Sequence, residues 1–149
     1  MKINAFADVS LRAMMVLSAA PEGSLLTTQN IADAVGTPYN HVSKAVARLR
    51  ELGVIDVERG RNGGSRINAN GRRATVGGLL RSIDNRRDPA ECESPNGDCP
   101  LIAECRLRVA LARAREAFYR ELDGVTVSEL PTSRQMTPVF STIAMLPGV

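Results

Sequence analysis

Between Thr27 and Asn68 short apolar-periodic segments alternate with glycine stops, and few folds accept that order. Thr27 or Thr28 can cap a short helix through Ile31, Ala34 and Val35, and Gly36 ends it. A second helix starts at once. Thr37 can cap it, and Pro38 suits a first helical position, where no backbone N–H is needed. Val42, Ala45, Val46, Leu49 and Leu52 then recur at helical spacing until Gly53 stops the helix. Two helices joined by a short glycine-containing turn read as a helix-turn-helix. The β-branched run at 54–58, the turn Arg59-Gly-Arg-Asn-Gly-Gly64 and the return over 65–68 add a two-stranded ribbon. A helix-turn-helix followed by a basic glycine hairpin is a winged helix.

The remaining segments are arranged around that unit. Phe6, Val9, Ala13, Val16 and Leu17 predict a first helix over 5–20, which Pro21 breaks. Thr75 caps a fourth helix through Leu79, Leu80 and Ile83. Residues 86–104, rich in Pro, Gly, Asp and Cys, read as a loop. The longest periodic segment follows, from about Cys105 to Asp123, with Leu107, Ala110, Leu111, Ala114, Ala117, Phe118 and Leu122 in step. Its alanines and leucines allow close packing against another helix. Residues 131–149 hold three prolines and little periodicity, and a loose tail is expected there. Aromatics are only 3% of the chain and Trp is absent, so the core must be aliphatic. No apolar run reaches the roughly 18–20 residues that a membrane span needs, and the N-terminus lacks a signal-peptide pattern. A cytoplasmic protein is expected.

Charge is unevenly distributed. Residues 1–90 carry 13 Lys and Arg against 8 Asp and Glu, whereas residues 91–149 carry 6 against 8. No acidic residue separates Glu58 from Asp84, while Arg59, Arg61, Arg66, Arg72, Arg73 and Arg81 fall between them. A basic first half suits a polyanion, although charge alone fits an ordinary solvated face equally well. With a helix-turn-helix the partner becomes double-stranded DNA. The N-terminal turn of the second helix would face base edges in the major groove. Tyr39, Asn40, His41, Ser43 and Lys44 lie off its apolar stripe. Asn40 has the groups to read adenine, and Lys44 to bind guanine or phosphate. Thr28 joins the DNA-binding set, and Arg59 and Arg61 on the wing would grip phosphates or enter a minor groove. P-loop, dinucleotide and Ser-His-Asp motifs are all missing, so no enzyme is expected.

The three cysteines, Cys92, Cys99 and Cys105, are spaced Cys-x6-Cys-x5-Cys. In a reducing compartment such clustering favours metal or redox chemistry over disulfides. Structural zinc prefers tighter pairs. Iron–sulfur clusters accept wider spacing on an open loop, and Arg106, Arg108 and a helix N-terminus would help hold an anionic group. Zinc and inert thiols remain the alternatives from spacing alone.

Phe6-Ala-Asp8-Val-Ser-Leu-Arg12-Ala, Pro38-Tyr-Asn-His-Val-Ser-Lys44-Ala, Gly60-Arg-Asn-Gly-Gly64 and Cys99-Pro-Leu-Ile-Ala-Glu-Cys105 together carry a resemblance. Over roughly residues 1–125 the chain resembles the iron–sulfur winged-helix repressors typified by NsrR and IscR. That resemblance implies a homodimer whose long C-terminal helices cross, with one cluster per subunit on Cys92, Cys99 and Cys105. In the NsrR branch it implies a [4Fe-4S] cluster whose fourth ligand is an N-terminal-helix carboxylate of the other subunit, which maps to Asp8. The IscR branch implies a [2Fe-2S] site completed by a histidine near the third cysteine. This chain has none there, since His41 is its only histidine. The Cys92–Cys99 interval is slightly longer than the family's usual spacing. Asp8 also stands four residues before Arg12, a pairing that stabilises a helix by ~0.3–0.5 kcal/mol without any metal.

The expected organisation is mainly α with a small β-wing. A winged helix-turn-helix domain spans residues 1–85, a cluster-binding loop 86–104, a dimerisation helix 105–130 and a flexible tail 131–149. The expected function is a repressor that binds a palindromic operator and loses affinity when nitric oxide damages its cluster. Its rivals are a sensor of iron–sulfur supply or oxidative stress, and a zinc-stabilised or electron-transfer protein that binds no DNA.

Overall fold

The computed structural model describes residues 3–84, 93–94 and 97–144. Its helices are α1 (Ala5–Ala19), α2 (Thr28–Val35), α3 (Tyr39–Glu51), α4 (Ala69–Arg73), α5 (Val76–Ile83), α6 (Arg106–Leu122) and α7 (Ser133–Ala144). Two antiparallel ribbons interrupt them: β1 (Ile55–Glu58) with β2 (Gly64–Ile67), and the very short β3 (Glu93–Ser94) with β4 (Gly97–Asp98). The mainly helical fold with a small wing is as expected.

Helix α1 is the hub. The Asn4 side chain accepts a hydrogen bond from the Ala7 N–H at 2.7 Å and so starts the helix. Ala7, Ser10 and Ala13 are buried small residues that let neighbours approach closely, and Met14, Val16 and Leu17 fill the space beyond them. Against α1 pack α2, α3, α4, α5 and α7. The core is one aliphatic cluster, in which Tyr119 is the only buried aromatic among the described residues.

The helix-turn-helix follows from local chemistry. Thr27 and Asn30 form a reciprocal capping box, each side chain accepting from the other's backbone N–H, at 3.1 and 3.0 Å. Gly36 closes α2 in the left-handed region at φ 62°, which a side chain rarely tolerates. The start of α3 differs from expectation. Pro38 occupies the capping position, and no side chain caps the helix. The Thr37 hydroxyl instead donates to the Val35 carbonyl at 3.4 Å, so it finishes α2 rather than beginning α3.

The β1–β2 register places Asp56 opposite Arg66 and Glu58 opposite Gly64. Leu26 adds a third backbone rung through paired hydrogen bonds with Ser65, at 2.9 and 2.7 Å. The wing is thereby anchored to the start of the helix-turn-helix.

Two helices depart from the sequence reading, and the very short β3–β4 ribbon lies within the interval read as a loop. α4 was not expected, because five residues are too few to show periodicity. Asn68 nonetheless caps it by accepting from the Gly71 N–H at 3.0 Å. The loose tail expected over 131–149 is overturned for 133–144, which form α7 despite Pro138 within the helix. Thr132 accepts from the Gln135 N–H at its start, Met136 and Ile143 are buried, and Phe140 packs partly against the core. That stripe was legible in principle, but three apolar positions among prolines and hydroxyl residues make a weak signal.

α5 and α6 meet without a side chain between them. A Cβ on Gly77 would run into the Tyr119 carbonyl and the Asp123 carboxylate. Arg81 clasps the same joint, donating from Nη1 and Nη2 to the two Asp123 oxygens at 2.6 and 2.8 Å, and from Nη2 to Glu116 at 2.9 Å. Hydrogen bonding to Arg81 holds both carboxyls below the usual carboxylate range, and raises Arg81 in turn. The strand-like contact of Thr75 with Thr126 returns the chain after α6 to the start of α5.

Two measurements test this joint. Gly77→Ala is expected to destabilise the fold by about 1–3 kcal/mol in urea unfolding, as overpacking does. Gly78→Ala, whose Cβ would crowd only the Thr75 hydroxyl, at 3.0 Å, should cost less. Arg81→Ala should lower Tm by a few degrees at neutral pH. Because the folded carboxyls titrate below their unfolded values, the unfolded chain takes up protons first on acidification. The clasp's contribution is therefore complete above roughly pH 4–5 and disappears as pH falls further. The Tm gap between wild type and Arg81→Ala should narrow over that acid range.

Candidate nucleic-acid interface and cysteine site

Helix α3 buries Val42, Ala45, Val46 and Leu49 and turns its other side to solvent. At 100° per residue, Asn40, Lys44 and Ala47 fall on the line opposite the buried stripe. Tyr39 is 49% exposed, Asn40, His41 and Lys44 are exposed, and Ser43 is half-buried beside them. The predicted DNA-facing residues of α3 thus share one outward surface. Thr28, half-buried, is the first residue of α2. Arg59 and Arg61 stand exposed on the turn between β1 and β2, with no ion pair to any described residue.

Other arginines of the basic half are occupied within the fold. Arg66 bonds Glu58 at 2.8 Å and approaches Asp56 at 3.8 Å across the wing. Arg48 donates to the Ser82 carbonyl at 2.9 Å and pairs with Glu51 at 3.1 Å. Arg81 is held by Asp123 and Glu116. The acid-free interval in sequence is therefore not acid-free in space. Sequence reasoning missed these pairs because every one except Arg48–Glu51 joins different elements.

Among the cysteines, Cys92 lies outside the described residues. Cys99 and Cys105 are half-buried free thiols. Two successive turns connect them, closed by Ile102 N–H to the Cys99 carbonyl at 3.1 Å and Cys105 N–H to the Ile102 carbonyl at 3.4 Å. Glu104, just before Cys105, adopts φ 56°, a left-handed conformation uncommon for a residue with a side chain. Such local strain collects at functional sites, and nothing in the sequence announces it. It delivers Cys105 to the capping position of α6, where its sulfur accepts from the Arg108 N–H at 3.5 Å. The sulfur therefore sits at the positive end of a 17-residue helix.

On α1, Arg12 reaches back to Asp8 through two hydrogen-bonded contacts, Nε at 3.1 Å and Nη2 at 2.6 Å. The i,i+4 pair expected from the sequence is present and bidentate. Asp8, Cys99 and Cys105 do not form one metal-ligand cluster within the single chain, among the described residues. The donors that are described fit an iron–sulfur group. They are soft thiols unpaired with each other, and Cys105 stands at a helix N-terminus with arginines beside it on α6.

The outer face of α6 is bare. Leu107 is 66% and Val109 60% exposed, and Ala110, Ala114 and Ala117 are exposed along the same helix. Only Tyr119 of its residues is buried. No helix of the described residues is long and apolar enough to cross a membrane.

Comparison with known proteins agrees with this geometry. The sequence profile of the Rrf2 family, described as an iron-dependent transcriptional regulator, matches residues 3–132. The HTH-type transcriptional repressor NsrR of Streptomyces coelicolor is 44% identical over 131 residues, covering 87% of this chain and 88% of that protein. The HTH-type transcriptional regulator NsrR of Geobacillus kaustophilus is 35% identical over 135 residues, covering 90% and 92%. The solved structure of T. potens IscR matches 99% of this chain and 94% of that one, at a TM-score of 0.64 and 18% identity. The fold is thus shared with proteins named as regulators of transcription, which are not enzymes. The chain belongs to the Rrf2 family of transcriptional regulators.

Proposed function

We propose that the chain is a homodimeric, nitric-oxide-responsive repressor that carries one [4Fe-4S] cluster per subunit on Cys92, Cys99, Cys105 and Asp8 of the other subunit. One observation carries this reading: Cys105 caps the very helix whose apolar face is left bare. An exposed apolar stripe of this kind marks a contact surface, and a second copy of α6 complements it. The thiol site and the dimer surface would then be parts of one rigid element. The 44% identity to a repressor named NsrR, and the missing histidine beside the third cysteine, favour this branch over the [2Fe-2S] alternative.

When bound, the cluster supplies iron that nitric oxide can attack. The protein's part is to make that attack consequential. A carboxylate oxygen is a hard ligand in a site of soft thiolates, so Asp8 is the ligand most easily given up. Arg12 would receive it, a reading that the bidentate pair between the two side chains supports. Release of Asp8 would free α1 of one subunit from the cysteine loop of the other. Because α1 packs directly against α2 and α3, the relative pose of the two reading heads follows.

DNA enters through the outward face of α3 and the wing. Asn40, Lys44 and their neighbours on α3 read base edges, Thr28 contacts phosphate, and Arg59 and Arg61 bind the backbone or a minor groove. Two α3 helices related by a dyad call for a palindromic operator.

Anaerobic cluster-loaded protein, titrated with stoichiometric nitric oxide, should lose affinity for a duplex selected from a random pool by at least ten-fold. Full retention of affinity sinks the nitric-oxide reading. A larger loss with peroxide or oxygen would move the protein to the oxidant-sensing alternative. Asp8→Ala should release iron to a chelator roughly ten times faster than wild type, the scale on which metal-site partners act. Anisotropy titrations across salt check the wing. Arg59→Ala and Arg61→Ala should each weaken binding to all sequences and reduce the salt slope by about 1. Arg66→Ala should leave the slope unchanged, because Glu58 already engages that guanidinium.

A further inference from the structure

The outer line of α3 holds one residue that neither polar readout nor packing accounts for. Asn40, Lys44 and Glu51 on that line are polar, and Glu51 is tied back to Arg48. Ala47 lies between Lys44 and Glu51, exposed and opposite the buried Val42, Ala45 and Leu49. It is the one apolar side chain at the crest of the helix. Arg48, next to it, is drawn aside to the Ser82 carbonyl at 2.9 Å, so no long side chain covers the crest from that flank.

We infer that Ala47 is a specificity-determining residue whose methyl group packs against the C5-methyl of a thymine in the operator. This rests on the DNA-reading role of α3 and adds a base to it. Thymine alone presents a methyl group in the major groove, and a small apolar side chain is its natural partner. A one-carbon side chain at the crest also sets how deeply the helix seats. Anything longer would hold Asn40 and Lys44 off the base edges. Seven residues separate Ala47 from Asn40, about 10 Å along the helix axis. The thymine should therefore lie no more than about three base steps from the base pair that Asn40 reads.

The alternative is that alanine stands here only because it favours helix. Deoxyuridine separates the two, since it removes the methyl group and leaves every hydrogen-bonding group in place. The full chain is used to select a duplex from a random pool. Each thymine is then replaced by deoxyuridine in turn, and affinities are measured for wild type, Ala47→Gly and Ala47→Ser. In wild type, one thymine per half-site should cost roughly four-fold when replaced, the worth of one buried methyl-sized group. In Ala47→Gly the same replacement should cost less than two-fold, even though overall affinity falls. The ratio of ratios cancels any general loss of helix stability, and Ala47→Ser, which restores a side chain of similar reach, should regain part of the sensitivity. Equal deoxyuridine costs in wild type and Ala47→Gly at every position overturn the inference while leaving DNA reading intact. Failure to recover any duplex overturns the DNA-reading role and the inference together.

Discussion

The close approach of α5 to α6 is the contact on which the arrangement depends. Gly77 lets the α5 backbone touch the α6 carbonyl of Tyr119, and Arg81 locks the contact by holding Asp123 and Glu116 from the other side. α5 packs on the hub helix α1, whereas α6 presents mostly exposed surface. This joint is therefore where the long helix gains a fixed direction relative to the winged helix. Without it α6 would have little to hold it, since Tyr119 is its one buried residue. Charged groups at a partly exposed joint contribute modestly on their own. Their value here is angular, because a planar guanidinium bound to two carboxylates permits few orientations.

Asp84 ties a third element into that joint. One of its oxygens accepts from the Tyr119 hydroxyl at 2.8 Å, and the other from the Asn4 side chain at 3.5 Å. Asn4 also caps α1. The last described residue before the cysteine loop is thus connected both to α6 and to the start of the helix that carries Asp8. From Asp84 two short chains of packed or hydrogen-bonded groups lead to the helix-turn-helix, one through α5 and its Ser82–Arg48 bond and one through the Asn4 cap of α1.

What could be read in advance follows a physical division. Local features were legible: the Thr27 cap, the left-handed Gly36, the Thr75 cap and the Asp8–Arg12 pair each depend on residues within four positions of one another. The apolar stripe of α3 was legible for the same reason, because burial on one face imposes a 3.6-residue period. The start of α3 was assigned to a Thr37 cap, and the chain gave Thr37 to the end of α2 because one hydroxyl cannot serve both turns. α7 was hidden by Pro138, which lowers helix propensity while tertiary packing of Met136 and Ile143 overrides it. The Arg81 clasp joins residues 35 and 42 positions apart, and no periodicity records such a pairing. At the cysteine site the residue types were visible, but the left-handed Glu104 that aims Cys105 was not.

The arginines divide into two groups by what they already hold. Arg48, Arg66 and Arg81 each spend their guanidinium on carboxylates of the same chain, whereas Arg59 and Arg61 have no such partner among the described residues. An arginine bound to a carboxylate offers a phosphate little, because capture would first require breaking a bond of comparable kind and would leave an anion near the DNA. Within the 59–81 interval Arg66 and Arg81 are spent in this way, whereas Arg59 and Arg61 on the wing and Arg72 and Arg73 on α4 are exposed and pair with no carboxylate among the described residues. The positive field that a polyanion would meet is therefore carried by the wing tip and α4 together, while the ion pairs of Arg66 and Arg81 stiffen the fold instead.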